Sequence, residues 1–72
     1  GQVKFLLIIT ICSNIYQTCM PPAEIYPLYN NYNDCTTAGY LNSLTVTREL
    51  GPKRVEADRV TVHFECRQMH GA

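Results

Sequence analysis

The sequence predicts a single small α+β domain spanning residues 1–72, with one helix packed on a small two- to three-stranded sheet in the order strand, loop, helix, strand. Three observations predict it. Residues 3–12, VKFLLIITIC, form the one long apolar run and are rich in the branched side chains that suit strands. Residues 59–68 alternate cleanly, with Val60, Val62, Phe64 and Cys66 between Thr61, His63, Glu65 and Arg67. Between the two, residues 35–50 carry a helical pattern with clear stop signals.

The first strand places Phe5, Leu7, Ile9 and Ile11 on one face and Lys4, Leu6, Ile8, Thr10 and Cys12 on the other. Both faces are apolar at the centre. One helix covers one face, so a loop or a second subunit is expected on the other, and a homodimer follows as an expectation. Lys4 ahead of residues 5–11 imitates a signal peptide, but the apolar core is short and no small-x-small cleavage site follows. Bulky Ile11 before Cys12 also fits poorly with a lipoprotein site. The run reads as a strand of the mature fold, and at about ten residues it is too short to cross a membrane as a helix.

Residues 13–20 are turn-like, with Asn14 as the breaker, and Met20-Pro21-Pro22 then imposes extended backbone. Residues 23–33 form a tyrosine-rich connection containing Pro27. A short edge strand around residues 24–26 fits there, because edges tolerate proline. Asn33 or Asp34 is the expected N-cap of the helix, and Gly51-Pro52 ends it. At 100° per residue Cys35, Ala38, Gly39, Asn42, Val46 and Leu50 fall on one side. That stripe of mostly small residues predicts close approach to the sheet, with Gly39 at the contact. Helix propensity is poor, since Thr36, Thr37, Thr45, Val46 and Thr47 are β-branched, so packing must hold the helix. Residues 52–58 fit one further helical turn with Val55 pointing inward.

A chain of 72 residues with 46% hydrophobic side chains is globular but short of core. Domains of this size commonly add disulfides, a metal or a partner. Six basic and six acidic residues cancel, and Arg48, Lys53, Arg54 and Arg59 are interleaved with Glu49, Glu56 and Asp58. That mixture is a solvated surface rather than a phosphate-binding footprint, so no nucleic-acid partner is expected.

The four cysteines are the one constellation. If the strands at residues 3–12 and 59–68 are parallel, as a strand-helix-strand crossover requires, Cys12, Cys19, Cys35 and Cys66 gather at one sheet edge. Of three connectivities, Cys12–Cys66 with Cys19–Cys35 is favoured. That pairing turns Leu6 and Ile8 toward the helix and leaves Phe5, Leu7 and Ile9 for a partner. Spacings of six, fifteen and thirty intervening residues lack the close pair typical of zinc ligands, and no C-x-x-C redox motif occurs. The cysteines favour an oxidising setting, while the lack of a cleavable leader favours the opposite.

Tyr16, Tyr26, Tyr29, Tyr32 and Tyr40 crowd one part of the chain. Tyrosines supply apolar area with a polar tip, so the cluster either covers an undersized core, the favoured reading, or adds Tyr26, Tyr29 and Tyr32 to Phe5, Leu7 and Ile9 as a partner surface. Neither His63 nor His70 has a nucleophile at a recognisable spacing, Ser13 and Ser43 lack a G-x-S-x-G context, and there is no glycine-rich phosphate loop. No catalytic residue, metal or cofactor is expected. The expected role is a non-enzymatic binding or accessory protein acting through protein–protein contact. The rival is a thiol-redox or metal-binding protein using the cysteines.

One resemblance runs along most of the chain. Cys12-Ser13, Cys19 with Met20-Pro21-Pro22, Tyr32-Asn33-Asp34-Cys35, Gly39-Tyr40, Ser43-Leu44, Leu50-Gly51-Pro52, Val55, Phe64 and Cys66 look like a group of short uncharacterised four-cysteine proteins of marine bacteriophages and ocean metagenomes. The resemblance implies a compact domain and no activity. Lys53 and Arg54 depart from the acidic pair expected after the Gly-Pro.

Overall fold

The computed structural model describes residues 3–70. Six elements follow in order: β1 (Lys4–Ser13), β2 (Thr18–Cys19), β3 (Ala23–Tyr29), α1 (Tyr32–Leu50), α2 (Pro52–Asp58) and β4 (Val60–Met69). They build a four-stranded antiparallel sheet with the helices packed against it. The α+β class is as the periodicities predict. The sheet has four strands where two to three are expected, β2 being only two residues long.

β1 is the centre. Along one side it pairs with β4 over ten consecutive positions, from Lys4 opposite Met69 to Ser13 opposite Val60. Along its other side lie β3, pairing Phe5 to Ile9, and then β2, pairing Cys12 and Ser13. β2 and β3 are thus two pieces of one returning strand, interrupted at Met20-Pro21-Pro22, where two prolines lack ladder donors. A second irregularity falls between Phe5 and Leu7, whose partners are Tyr29 and Ile25. Pro27 sits there, preceded by a cis peptide bond, in a bulge on an edge strand where proline is tolerated.

The antiparallel pairing of β1 and β4 overturns the expected parallel crossover. β3 already returns the chain to the start of β1, and α1 carries it back across one face. β4 therefore begins beside Ser13 and runs against β1.

Two buried layers result. On the helix side Leu7, Ile9 and Cys35 form the cluster, with Phe5, Ile25, Tyr29, Ala38, Val62, Phe64 and Cys66 packed around it. The expected inward stripe of α1 is correct: Cys35 and Gly39 are buried, and Ala38, Asn42, Val46 and Leu50 are half-buried. Gly39 lies directly over Phe64, as the small-residue stripe predicts. A Cβ on Gly39 would overlap the ring, reaching within 2.7 Å of its Cγ.

On the opposite face Leu6 and Ile8 are buried as well, although no helix lies there. By register Leu6 is opposite Arg67, and Ile8 is flanked by Glu65 and Glu24. An ion pair of 3.1 Å joins Arg67 Nε to Glu65 Oε2. The register neighbours of the two apolar residues on this face are thus charged side chains of β3 and β4. Leu6 and Ile8 are buried within the single chain, on the face turned away from the helices.

Local signals fix the ends of the elements. Asn31 caps α1, its Oδ1 accepting from the Asp34 N–H at 2.8 Å while its Nδ2 donates to Asp34 Oδ2 at 3.1 Å. The helix therefore starts three residues before the expected position at Cys35, because Asn31 and Asp34 cap each other across the first turn. Tyr32 is drawn into that turn and meets Phe5 edge-on at 5.6 Å. Asn31→Ala is expected to lower stability by about 1 kcal/mol, read as a shifted midpoint in urea with unchanged slope.

At the other end Gly51 takes φ 89° and its N–H donates to the Arg48 carbonyl, with Pro52 opening α2. Arg59, in the left-handed region at φ 48°, closes α2 and turns the chain into β4. The turn at residues 14–17 is anchored to that junction. Ser13 Oγ donates to the Asp58 carbonyl at 2.8 Å, and Asn14 bonds both the Arg59 carbonyl and Thr61 Oγ1.

Candidate functional site

The cysteines pair as Cys12–Cys19 and Cys35–Cys66, with Cα separations of 4.0 and 6.1 Å, and none of the four is free. This corrects the expected Cys12–Cys66 and Cys19–Cys35. In the antiparallel register Cys66 stands opposite Leu7, far along β1 from Cys12, which stands opposite Thr61. Cys66 therefore shares the inner face with Cys35 on the first turn of α1. Cys12 is left to its direct cross-strand neighbour Cys19. One bridge joins helix to sheet, where Thr36 Oγ1 also approaches Cys66 Sγ at 4.0 Å; the other closes the first hairpin. The edge where four thiols would have met does not exist. Among the described residues no group of three or more His, Cys, Asp or Glu side chains is placed to hold a metal ion.

The expected partner surface is dispersed. Leu7 and Ile9 are buried beneath α1, and Phe5 is half-buried against Tyr32, so these three offer no open face. The reason is the corrected register: the odd residues of β1, not Leu6 and Ile8, face the helix. Tyr29 belongs to the same core. Tyr32 is exposed at the start of α1, and Tyr26 is exposed on the opposite face of the sheet. The Tyr26 hydroxyl donates to Glu24 Oε1 at 3.1 Å. That bond, followed by the charge of the Glu24 carboxylate, holds the phenol pKa above the ordinary tyrosine value.

A different surface is continuous. Thr36, Tyr40 and Leu44 form an i, i+4, i+8 row along α1. Thr36 reaches Cys66, and Tyr40 meets Phe64 edge-on at 4.8 Å, so this flank of the helix overhangs β4. Tyr40, Leu41 and Leu44 are 67, 61 and 49% exposed. Their positions on the sequence hold the signal that finds them: three large apolar residues lie off the inward stripe that accounts for the rest of the helix.

Beside this strip runs the outer edge of β4. Among the described residues β4 pairs with β1 alone. The Asn14 N–H donates to the Arg59 carbonyl at 3.1 Å, which fixes the phase of the ladder. Thr61, His63, Glu65, Arg67 and Met69 thus turn their backbone groups toward β1. Val62, Phe64, Cys66 and Gln68 turn theirs outward.

An open cleft of about 270 Å³ lies at the far end of the sheet, between Cys12–Cys19, Met20, Leu50 and Val60, with Arg54 and Asp58 also lining it. Its lining is mainly apolar, and Ser13, which also lines it, donates its Oγ hydrogen to the Asp58 backbone carbonyl. Among the described residues no helix is long and apolar enough to cross a membrane. No protein-family model matches the chain, and neither do any curated protein or solved structure.

Proposed function

We propose that this chain is a non-enzymatic binding module, held rigid by two disulfides, that works by protein–protein contact through the outer flank of α1. The observation that carries this reading is the strip of Tyr40, Leu41 and Leu44. A domain with five buried hydrophobic residues among those described leaves three of its large apolar side chains side by side in water. Contiguous apolar area of that kind marks contact sites, and an aromatic ring braced by a second ring is a pre-ordered anchor. The packing of Tyr40 on Phe64 supplies that brace. The cysteines support the reading by their state, since bridged sulfurs offer neither a nucleophile nor a metal ligand.

The test is site-specific photo-crosslinking in cells that produce the chain, with benzoylphenylalanine replacing Leu41 and, as a control, Lys53. A discrete protein adduct at position 41 that is weak or absent at position 53 is expected. Equal labelling at both positions, or none at either, would remove the assignment.

A further inference from the structure

Resting on that contact reading and naming its partner, we infer that the surface receives a second copy of this chain, with the two β4 strands pairing antiparallel about Phe64. The two edges of the sheet are treated differently. The β2–β3 edge carries Pro21, Pro22, Pro27 and a register shift, the usual devices that stop a strand from recruiting another. β4 carries no proline, and its ten pairs to β1 show no register shift. Its open backbone groups are an unblunted template.

Charge selects the occupant and the register. A two-fold axis normal to the sheet pairs each residue with one of the same face, so the centre falls on a residue of β4. Centring on Glu65 would oppose two carboxylates. Centring on His63 would bring Arg59 against Arg67 of the second copy. Centring on Phe64 pairs residues 60–68 throughout and places His63 opposite Glu65 of the second copy, and Glu65 opposite its His63. Thr61 then meets Arg67, and no like charges face each other. Val62, Phe64, Cys66 and Gln68 already point their amides outward, so the pairing adds about ten backbone hydrogen bonds. It also brings the Tyr40 and Leu44 flanks of the two helices together over the junction. Centring on Cys66 pairs fewer residues, because β4 ends at Met69.

The experiment is sedimentation and amide hydrogen exchange on the intact, oxidised chain at micromolar and millimolar concentration. A dimer at the higher concentration, with protection rising at Val62, Phe64, Cys66 and Gln68, is expected. His63→Glu weakens the dimer about tenfold, since two facing pairs become like-charged. Adding Glu65→Lys to it returns opposite charges to each pair and restores association. Both positions lie on the outer face, so the melting curve of each monomer reports separately that it is folded. A monomer at all concentrations, a dimer that leaves the four amides unprotected, or a double variant as weak as the single one would overturn the inference. Adducts at position 41 of a mass other than two chains would also overturn it, while leaving the binding reading intact. The absence of any adduct would remove both.

Discussion

Replacing Cys35 and Cys66 together by alanine is expected to destabilise the domain by about 4 kcal/mol. The bridge closes a loop with a sequence separation of 31, and the chain-entropy model assigns roughly that value to such a loop. Removing Cys12–Cys19, whose separation is 7, costs about 2.5 kcal/mol on the same model. A domain of this length has a total stability on the order of 4 to 11 kcal/mol, so the first change consumes much of it. Packing adds to the difference. Cys35 is fully buried at the helix–sheet contact, whereas Cys19 is exposed. Thermal melts followed by circular dichroism would read the effect as a drop of roughly 15 to 30 °C for the inner pair. A larger loss from the hairpin pair than from the inner pair would contradict this assignment of roles.

Gly39→Ala is expected to cost about 2 kcal/mol, opposite in sign to what helix propensity alone predicts. In an exposed helix this change stabilises by up to about 1 kcal/mol. Here the added methyl overlaps the Phe64 ring, and overpacking of that kind costs about 1–3 kcal/mol or more when backbone must move. The ring has little room to swing, because Tyr40 holds it from the side. Phe64→Leu should relieve the clash, so a double-mutant cycle should show the two changes costing less together than their sum. Strict additivity would mean that the helix shifts as a body and the contact is not the determinant.

What could be read from the chain beforehand divides along the range of the interactions. The strand at residues 3–12, the alternation of Val60, Val62, Phe64 and Cys66, the Gly51-Pro52 stop and the close approach at Gly39 are all written in local periodicity. Strand direction is not. It follows from how many times the chain reverses, and that number turns on residues 23–29. Pro27 and two tyrosines, Tyr26 and Tyr29, read there mainly as a connection, with a short strand as a minor feature. Counted as a full returning strand, they leave α1 to carry the chain back, and β4 must then oppose β1. The disulfide pairing and the exposed face of β1 both depend on that direction, so this one long-range feature accounts for both differences from expectation. The helix start was displaced for a smaller reason: Asn31, Asn33 and Asp34 are all good caps, and only Asn31 has an acidic partner three residues on. The strip on α1 was legible in principle, because Tyr40, Leu41 and Leu44 fit nowhere on the inward stripe.

The two disulfide loops, residues 12–19 and 35–66, neither overlap nor nest. Their order along the chain has a consequence for biosynthesis. In synthesis into an oxidising space, Cys12 and Cys19 emerge ahead of the other two cysteines of these 72 residues. Cys66 emerges last of the four, when Cys35 is the one among them still unpaired. Each ring can close without threading through the other, so oxidation in order of appearance reaches the native pairing directly, with no reshuffling step built into the topology.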